Sequence, residues 1–162
     1  METSRKRVTR SQLQKTLNAI PKIRMAHLPT PLEECSRLSQ ELGGARLFVN
    51  RDDCTGLAMG GNKARHFEYL MAEVKDNGYD VFVNEMAWHC NNARISAAAC
   101  NRIGVRYVLV LRGGIGKAYQ GNMLLDHILG AEIHLLNTMD RKTSAYFARK
   151  IGTHLESEGW SR

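Results

Sequence analysis

Between residues 46 and 158, short apolar runs alternate with longer amphipathic stretches, and glycines punctuate the returns from stretch to run. The runs at 46–50 (RLFVN), 80–84 (DVFVN), 105–111 (VRYVLVL) and 131–136 (AEIHLL) have the length and composition of strands. Gly78, Gly104 and Gly130 stop the stretches that precede the last three. Helices are therefore expected at 62–77, 92–103, 122–129 and 141–158. In the first, Phe67, Leu70, Met71 and Val74 recur at helical spacing and make one apolar face. In the last, Tyr146, Phe147, Ile151 and Leu155 are expected to be buried. Strand, helix, strand in this rhythm implies parallel strands joined by right-handed crossovers. Strands this apolar are covered on both faces. The expected fold class is α/β, a three-layer parallel sheet flanked by helices. Ligands of such sheets bind beyond the carboxyl ends of the strands, which directs attention to the loops 51–61, 85–91 and 112–121.

The N-terminal part is less regular. Residues 1–10 read as unstructured, 11–18 suits a short helix, and Pro21, Pro29 and Pro31 break the chain. Thr30 is expected to cap a helix with Pro31 at its first position and Glu33 and Glu34 in its first turn, ended by Gly43-Gly44. The expected division is a flexible basic arm at 1–20 and one domain at 21–162. The net charge is +7, and Arg5, Lys6, Arg7, Arg10 and Lys15 crowd the arm. The other basic residues are scattered with no stripe interleaved with aromatics, which argues against a nucleic-acid partner. No apolar run approaches the roughly 18 residues that span a bilayer, so no membrane partner is expected. Cys35, Cys54, Cys90 and Cys100 form no Cys-x-x-Cys pair and read as free thiols of a cytoplasmic protein. His27, His66, His127, His134 and His154 lack metal-ligand spacing, and no metal is expected.

The densest chemistry lies in RDDCTGLAMGGNKAR, residues 51–65. A strand ends, two carboxylates and three glycines follow, and Lys63 falls in the first turn of the next helix. Glycines let backbone approach a flat ligand closely. The helix dipole opposes a cation at that end, which favours the neutral amine that attacks an aldehyde. On these residues alone, a plain solvent-exposed Lys63 is the commoner reading. Asp52 and Asp53 could form an acid pair. Gly113, Gly114, Gly116 and Lys117 suggest a phosphate loop but lack the Gly-Lys-Ser/Thr ending.

Three runs in this order and spacing, LPTPLE at 28–33, RDDCTGLA at 51–58 and GGNKAR at 60–65, resemble the D-cysteine desulfhydrase and aminocyclopropane-carboxylate deaminase family. The likeness continues through NNAR at 91–94, LRGG at 111–114 and GNMLLDHILGAEI at 121–133, and covers most of the chain from about Pro21. It implies the tryptophan-synthase-β-like fold, fold type II of the pyridoxal-phosphate enzymes, in part. It also implies pyridoxal 5'-phosphate (PLP) as cofactor, with Lys63 holding it, and lyase or deaminase chemistry on a small amino-acid substrate.

In that family a Gln-Ser-Asn-His loop follows the second strand, its serine acting near the substrate and its asparagine bonding the cofactor's phenolic oxygen. The corresponding residues are His89-Cys90-Asn91-Asn92. Asn91 is retained as a cofactor contact. Cys90 replaces the serine, and either keeps a nucleophilic role with altered geometry or is merely a buried thiol. The preceding Glu85-Met86-Ala87-Trp88 departs from the family's smaller, glycine-bearing turn. The resemblance matches only the N-terminal half of a family member. It implies a small domain plus part of a large one, lacking the half that grips the phosphate. The expectation is a poor catalyst on its own, working as a homo-oligomer or with a complementary C-terminal half. The rival expectation is a non-catalytic α/β module.

Overall fold

The structure, a computed structural model, describes residues 8–113, 115–116 and 118–161. Gly114 and Lys117 of the glycine-rich 113–117 segment, and Arg5, Lys6 and Arg7 of the basic arm, lie outside the described residues. The first helix, α1 (Arg10–Asn18), starts at a reciprocal cap between Thr9 and Gln12 and buries none of its residues.

Two sheets follow, and this corrects the expectation of one parallel sheet from residue 46 onward. Strand β1 (Leu32–Glu34) and strand β2 (Phe48–Asn50) pair antiparallel as a separate two-stranded sheet, with Glu33 opposite Val49. The helix between them, α2, covers only Ser36–Leu42 and begins after Cys35, so Thr30 caps no helix here. Long-range pairing explains the difference. Glu34 meets Arg46 at 2.7 Å and Glu33 meets Arg51 at 2.7 Å across the ladder. The two acids thus serve a strand pair and not a helix dipole. Thr30 is engaged instead by Asn50 and Arg65, each at 2.6 Å. Gly43 ends α2 in the left-handed region, as expected.

The remainder forms the three layers. The central sheet has the order β3 (Val81–Ala87), β4 (Arg106–Arg112), β5 (Glu132–Leu136), all parallel. Helix α4 (Asn91–Ile103) lies against β4, with α3 (Lys63–Asp76) and α5 (Gly121–Ile128) beside it. Helix α6 (Arg141–Ser157) packs on β3 and β4. Its alanines Ala97, Ala98 and Ala99 let α4 sit close to the sheet, and the core between them gathers Phe67, Met71, Ile95, Leu109, Leu111 and Met123.

Two further expectations change. Strand β3 runs on through Ala87, so Glu85, Met86 and Ala87 belong to the sheet and not to the loop. The Glu85 carboxylate holds that end, accepting from Ser144 Oγ at 2.7 Å and Arg141 at 3.2 Å, with Arg112 Nε at 3.4 Å. In α6, Leu155 is buried and Ile151 partly so, but Tyr146 and Phe147 are exposed. The inward stripe is made of small residues, with Ser144 and Gly152 buried above Leu155. Tyr146 and Phe147 meet each other edge-on outside it, with centroids 5.8 Å apart.

Candidate active site

The loop ahead of Lys63 is held in an uncommon backbone conformation. Ala58, Met59, Gly60 and Gly61 have φ of 43°, 67°, 75° and 126° in succession. The two non-glycine residues at positive φ carry strain of order 1–3 kcal/mol each, which persists only where the surroundings over-determine it. Those surroundings are visible. A Cβ added to Gly60 would stand 1.9 Å from the Asp53 carbonyl oxygen. The buried Thr55 hydroxyl accepts from the Gly61 N–H at 2.9 Å and lies 3.0 Å from the Asp52 and Gly61 carbonyls. The Gly61 N–H also reaches the Asp52 carbonyl at 2.8 Å.

The two carboxylates of the loop are anchors. Asp52 takes Arg65 at 2.8 Å, and that hydrogen bond holds its carboxyl below the usual carboxylate range. Asp53 takes Arg51 at 2.7 Å with the same consequence. Arg65 also donates to Thr30, so one guanidinium in the first turn of α3 ties the lysine helix to the small sheet. Further along α3, the buried Glu68 accepts the Met25 and Ala26 N–H groups at 3.0 Å each.

Lys63 itself is exposed and opens α3. Its side chain lines an open depression of about 500 Å³ with Asn62, Arg65, His66, Tyr69 and Asn92. That volume falls within the ~300–1,000 Å³ usual for small-ligand sites. Asn92 lines the same depression, and its Oδ1 is buried with no hydrogen-bond partner.

Cys90 and Asn91 stand at the start of α4 and do not line that depression. Cys90 is half-buried, with its Sγ 3.6 Å from Met86 Sδ. Asn91 is exposed, and its Oδ1 accepts from Asn122 Nδ2 at 2.8 Å. The His89 and Trp88 rings lie against each other at a tilt of 34°, centroids 3.5 Å apart. Among the described residues there is no cluster of His, Cys, Asp and Glu that could hold a metal ion.

Sequence reasoning missed three polar residues behind this site. Arg94 donates to the Gly60 carbonyl at 3.1 Å and to Asn122 Oδ1 at 3.2 Å. Asn122 Nδ2 reaches the His89 carbonyl at 2.9 Å as well as Asn91. Asp126 on α5 is fully buried, and neither carboxylate oxygen has a hydrogen-bond partner. Burial pushes its carboxyl up to about 7, against the opposing charge of Arg94. Nothing in the local pattern marks these residues. Arg94 and Asn122 stood out only as members of the runs NNAR and GNMLLD.

Lys63 thus opens a helix behind a strained glycine loop, with a polar turn beyond a parallel strand beside it. The family described as pyridoxal-phosphate dependent enzyme matches residues 23–160, and the chain belongs to it. A 1-aminocyclopropane-1-carboxylate deaminase from Ralstonia nicotianae is 40% identical over 126 residues, 74% of this chain and 37% of its own length. A D-cysteine desulfhydrase from Klebsiella pneumoniae is 32% identical over 149 residues, 89% of this chain and 44% of its own. The crystal structure of an ACC deaminase homologue superposes with a TM-score of 0.86 at 33% identity, covering 94% of this chain and 46% of that one. Diaminopropionate ammonia lyase from Escherichia coli, at 19% identity and a TM-score of 0.67, shares the fold. The chain thus spans less than half the length of the curated relatives it matches. No helix among the described residues is long and apolar enough to cross a membrane.

Proposed function

We propose that this chain contributes the lysine-bearing half of a PLP-dependent site acting on a small amino acid. The reaction is either α,β-elimination from D-cysteine to pyruvate, ammonia and sulfide, or deaminating ring opening of aminocyclopropane-carboxylate. The observation that carries the reading is the exposed Lys63 amine at the rim of a ligand-sized depression, behind a loop whose strain is held in place on several sides. The residue that fits the aldehyde end of the cofactor is Lys63, whose amine opens on the depression.

When bound, PLP supplies an electron-withdrawing ring that stabilises negative charge developing at the substrate α-carbon. Lys63 Nζ would hold the aldehyde end of the cofactor, and its amine would carry a proton to and from the substrate α-carbon. Asn91, which opens α4 outside the lining of the depression, would orient the ring where it extends toward α4. Cys90 occupies the place of the family's serine, with its thiol turned toward Met86.

The phosphate end is served less well. Arg65, the guanidinium lining the depression, is already engaged by Asp52 and Thr30. Binding by this chain alone is therefore weak, and the working assembly includes a complementary half or a second copy. The exposed apolar residues of the small sheet and α2, among them Leu32, Leu42 and Phe48, suit such a covering partner. The four free cysteines fit a reducing cytoplasm.

The experiment is a product assay with saturating PLP, following sulfide from D-cysteine and keto acid from aminocyclopropane-carboxylate. Slow product formation with one substrate, lost in Lys63→Ala, supports the reading. Equal rates in both proteins, or no product with either substrate even after the C-terminal half of a relative is added, favour a non-catalytic module of the same family.

A further inference from the structure

Lys63 and Asn91 open different helices, and their spacing must be held for both to act on one ligand. The loop before Lys63 takes four successive positive φ values, so its local backbone preferences do not favour the pose it holds. The Asn91 turn opens α4 with no side-chain cap from Cys90. One chain of hydrogen bonds spans both. Gly60, three residues before Lys63, gives its carbonyl to Arg94 Nη2 at 3.1 Å. Arg94 Nη1 donates to Asn122 Oδ1 at 3.2 Å. Asn122 Nδ2 then donates to Asn91 Oδ1 at 2.8 Å and to the His89 carbonyl at 2.9 Å. Three elements, the glycine loop, α4 and α5, are thereby locked through a single guanidinium.

We infer that Arg94 and Asn122 are positioning residues that set the distance between the Lys63 amine and the Asn91 amide, a role that rests on Lys63 being the cofactor lysine. The planar fork matters, because its two Nη groups point at two acceptors in one geometry. An ammonium at the same position keeps the charge that faces Asp126, but its three donors leave a single nitrogen and do not span the two acceptors as the fork does. The amide of Asn122 works in both directions, accepting from Arg94 through its oxygen and donating to the turn through its nitrogen. A displacement of about 1 Å at a reacting group costs up to ~100-fold in rate. Loss of either residue therefore slows chemistry at Lys63 without removing any group from the depression that holds it.

The test uses the full chain with Asn122→Ala, Arg94→Lys and the double variant, each checked for an unchanged melting profile. Asn122→Ala is the mild variant, since the two acceptors it frees are solvent-exposed. The first readout is borohydride-fixed PLP labelling of Lys63, normalised to the exposed Lys150 in the same sample. Each single variant should lower the ratio about tenfold, and the double variant no further, since both cut one relay. A ratio that stays at the wild-type value in Arg94→Lys, or losses that multiply in the double variant, would overturn the positioning role. The second readout needs no cofactor: peptide hydrogen exchange at 57–63 and 88–93. Asn122→Ala should speed exchange in both segments, although it touches only the second. Exchange at 57–63 that stays at the wild-type rate overturns the relay. Absence of selective Lys63 labelling in the wild-type chain counts against the cofactor assignment alone, because exchange still judges the coupling.

Discussion

Asp126 lies fully buried on α5 with no hydrogen bond to either oxygen. Its carboxyl is pushed from an ordinary 3.8 up to about 7, chiefly by burial, with Arg94 pulling the other way. The unfolded chain releases this proton near 3.8, and the folded chain keeps it until about 7. Between those values the folded state binds more protons, so stability falls as pH rises, and above about 7 the cost is fully present. Asp126→Asn replaces the carboxyl by an amide of the same shape that never ionises. At 1.36 kcal/mol per unit, its advantage over wild type is about 1 kcal/mol at pH 4.5 and about 4 kcal/mol at pH 8. Urea unfolding of both proteins at both pH values measures it. The gap between the two midpoints should widen by roughly 1.5 M between pH 4.5 and pH 8 for a slope of about 2 kcal/mol per molar. A difference that is the same at both pH values, or larger in acid, would refute the assignment of a buried carboxyl that resists ionisation.

Two further substitutions test the loop and its support. Gly60→Ala drives a Cβ to 1.9 Å from the Asp53 carbonyl at a φ of 75°, and should cost more than ~2 kcal/mol, read as a lowered melting midpoint. Glu68→Ala strands the buried Met25 and Ala26 N–H groups and should cost about 2–4 kcal/mol. Glu68→Gln keeps one acceptor oxygen and should recover part of that loss in the same denaturation assay.

The parallel core was legible because local chemistry and global fold agree there. Gly78, Gly104 and Gly130 stop helices where the backbone turns left-handed, and the apolar runs after them pair in the order of the sequence. Lys63 was singled out by the family resemblance of its run and not by its local chemistry, which fits equally the exposed lysine that opens α3. The small sheet was misread because Glu33 and Glu34 look locally like first-turn helix acids, whereas Arg51 and Arg46 claim them across a strand pair. In α6, the aromatics drew attention to the wrong face, since the helix approaches the sheet through Ser144 and Gly152. Arg94, Asn122 and Asp126 are single polar residues on helices, indistinguishable by pattern from solvated ones. Their meaning lies in which loops they meet, a relation that spacing along the chain does not encode.

The most direct measurement of the central claim is a peptide map of the chain after incubation with millimolar PLP and reduction with borohydride. The account predicts a pyridoxyl group concentrated on the peptide containing Lys63, saturating with cofactor concentration and absent in Lys63→Ala. Label spread evenly over exposed lysines, with Lys63 no richer than Lys142 or Lys150, would contradict it.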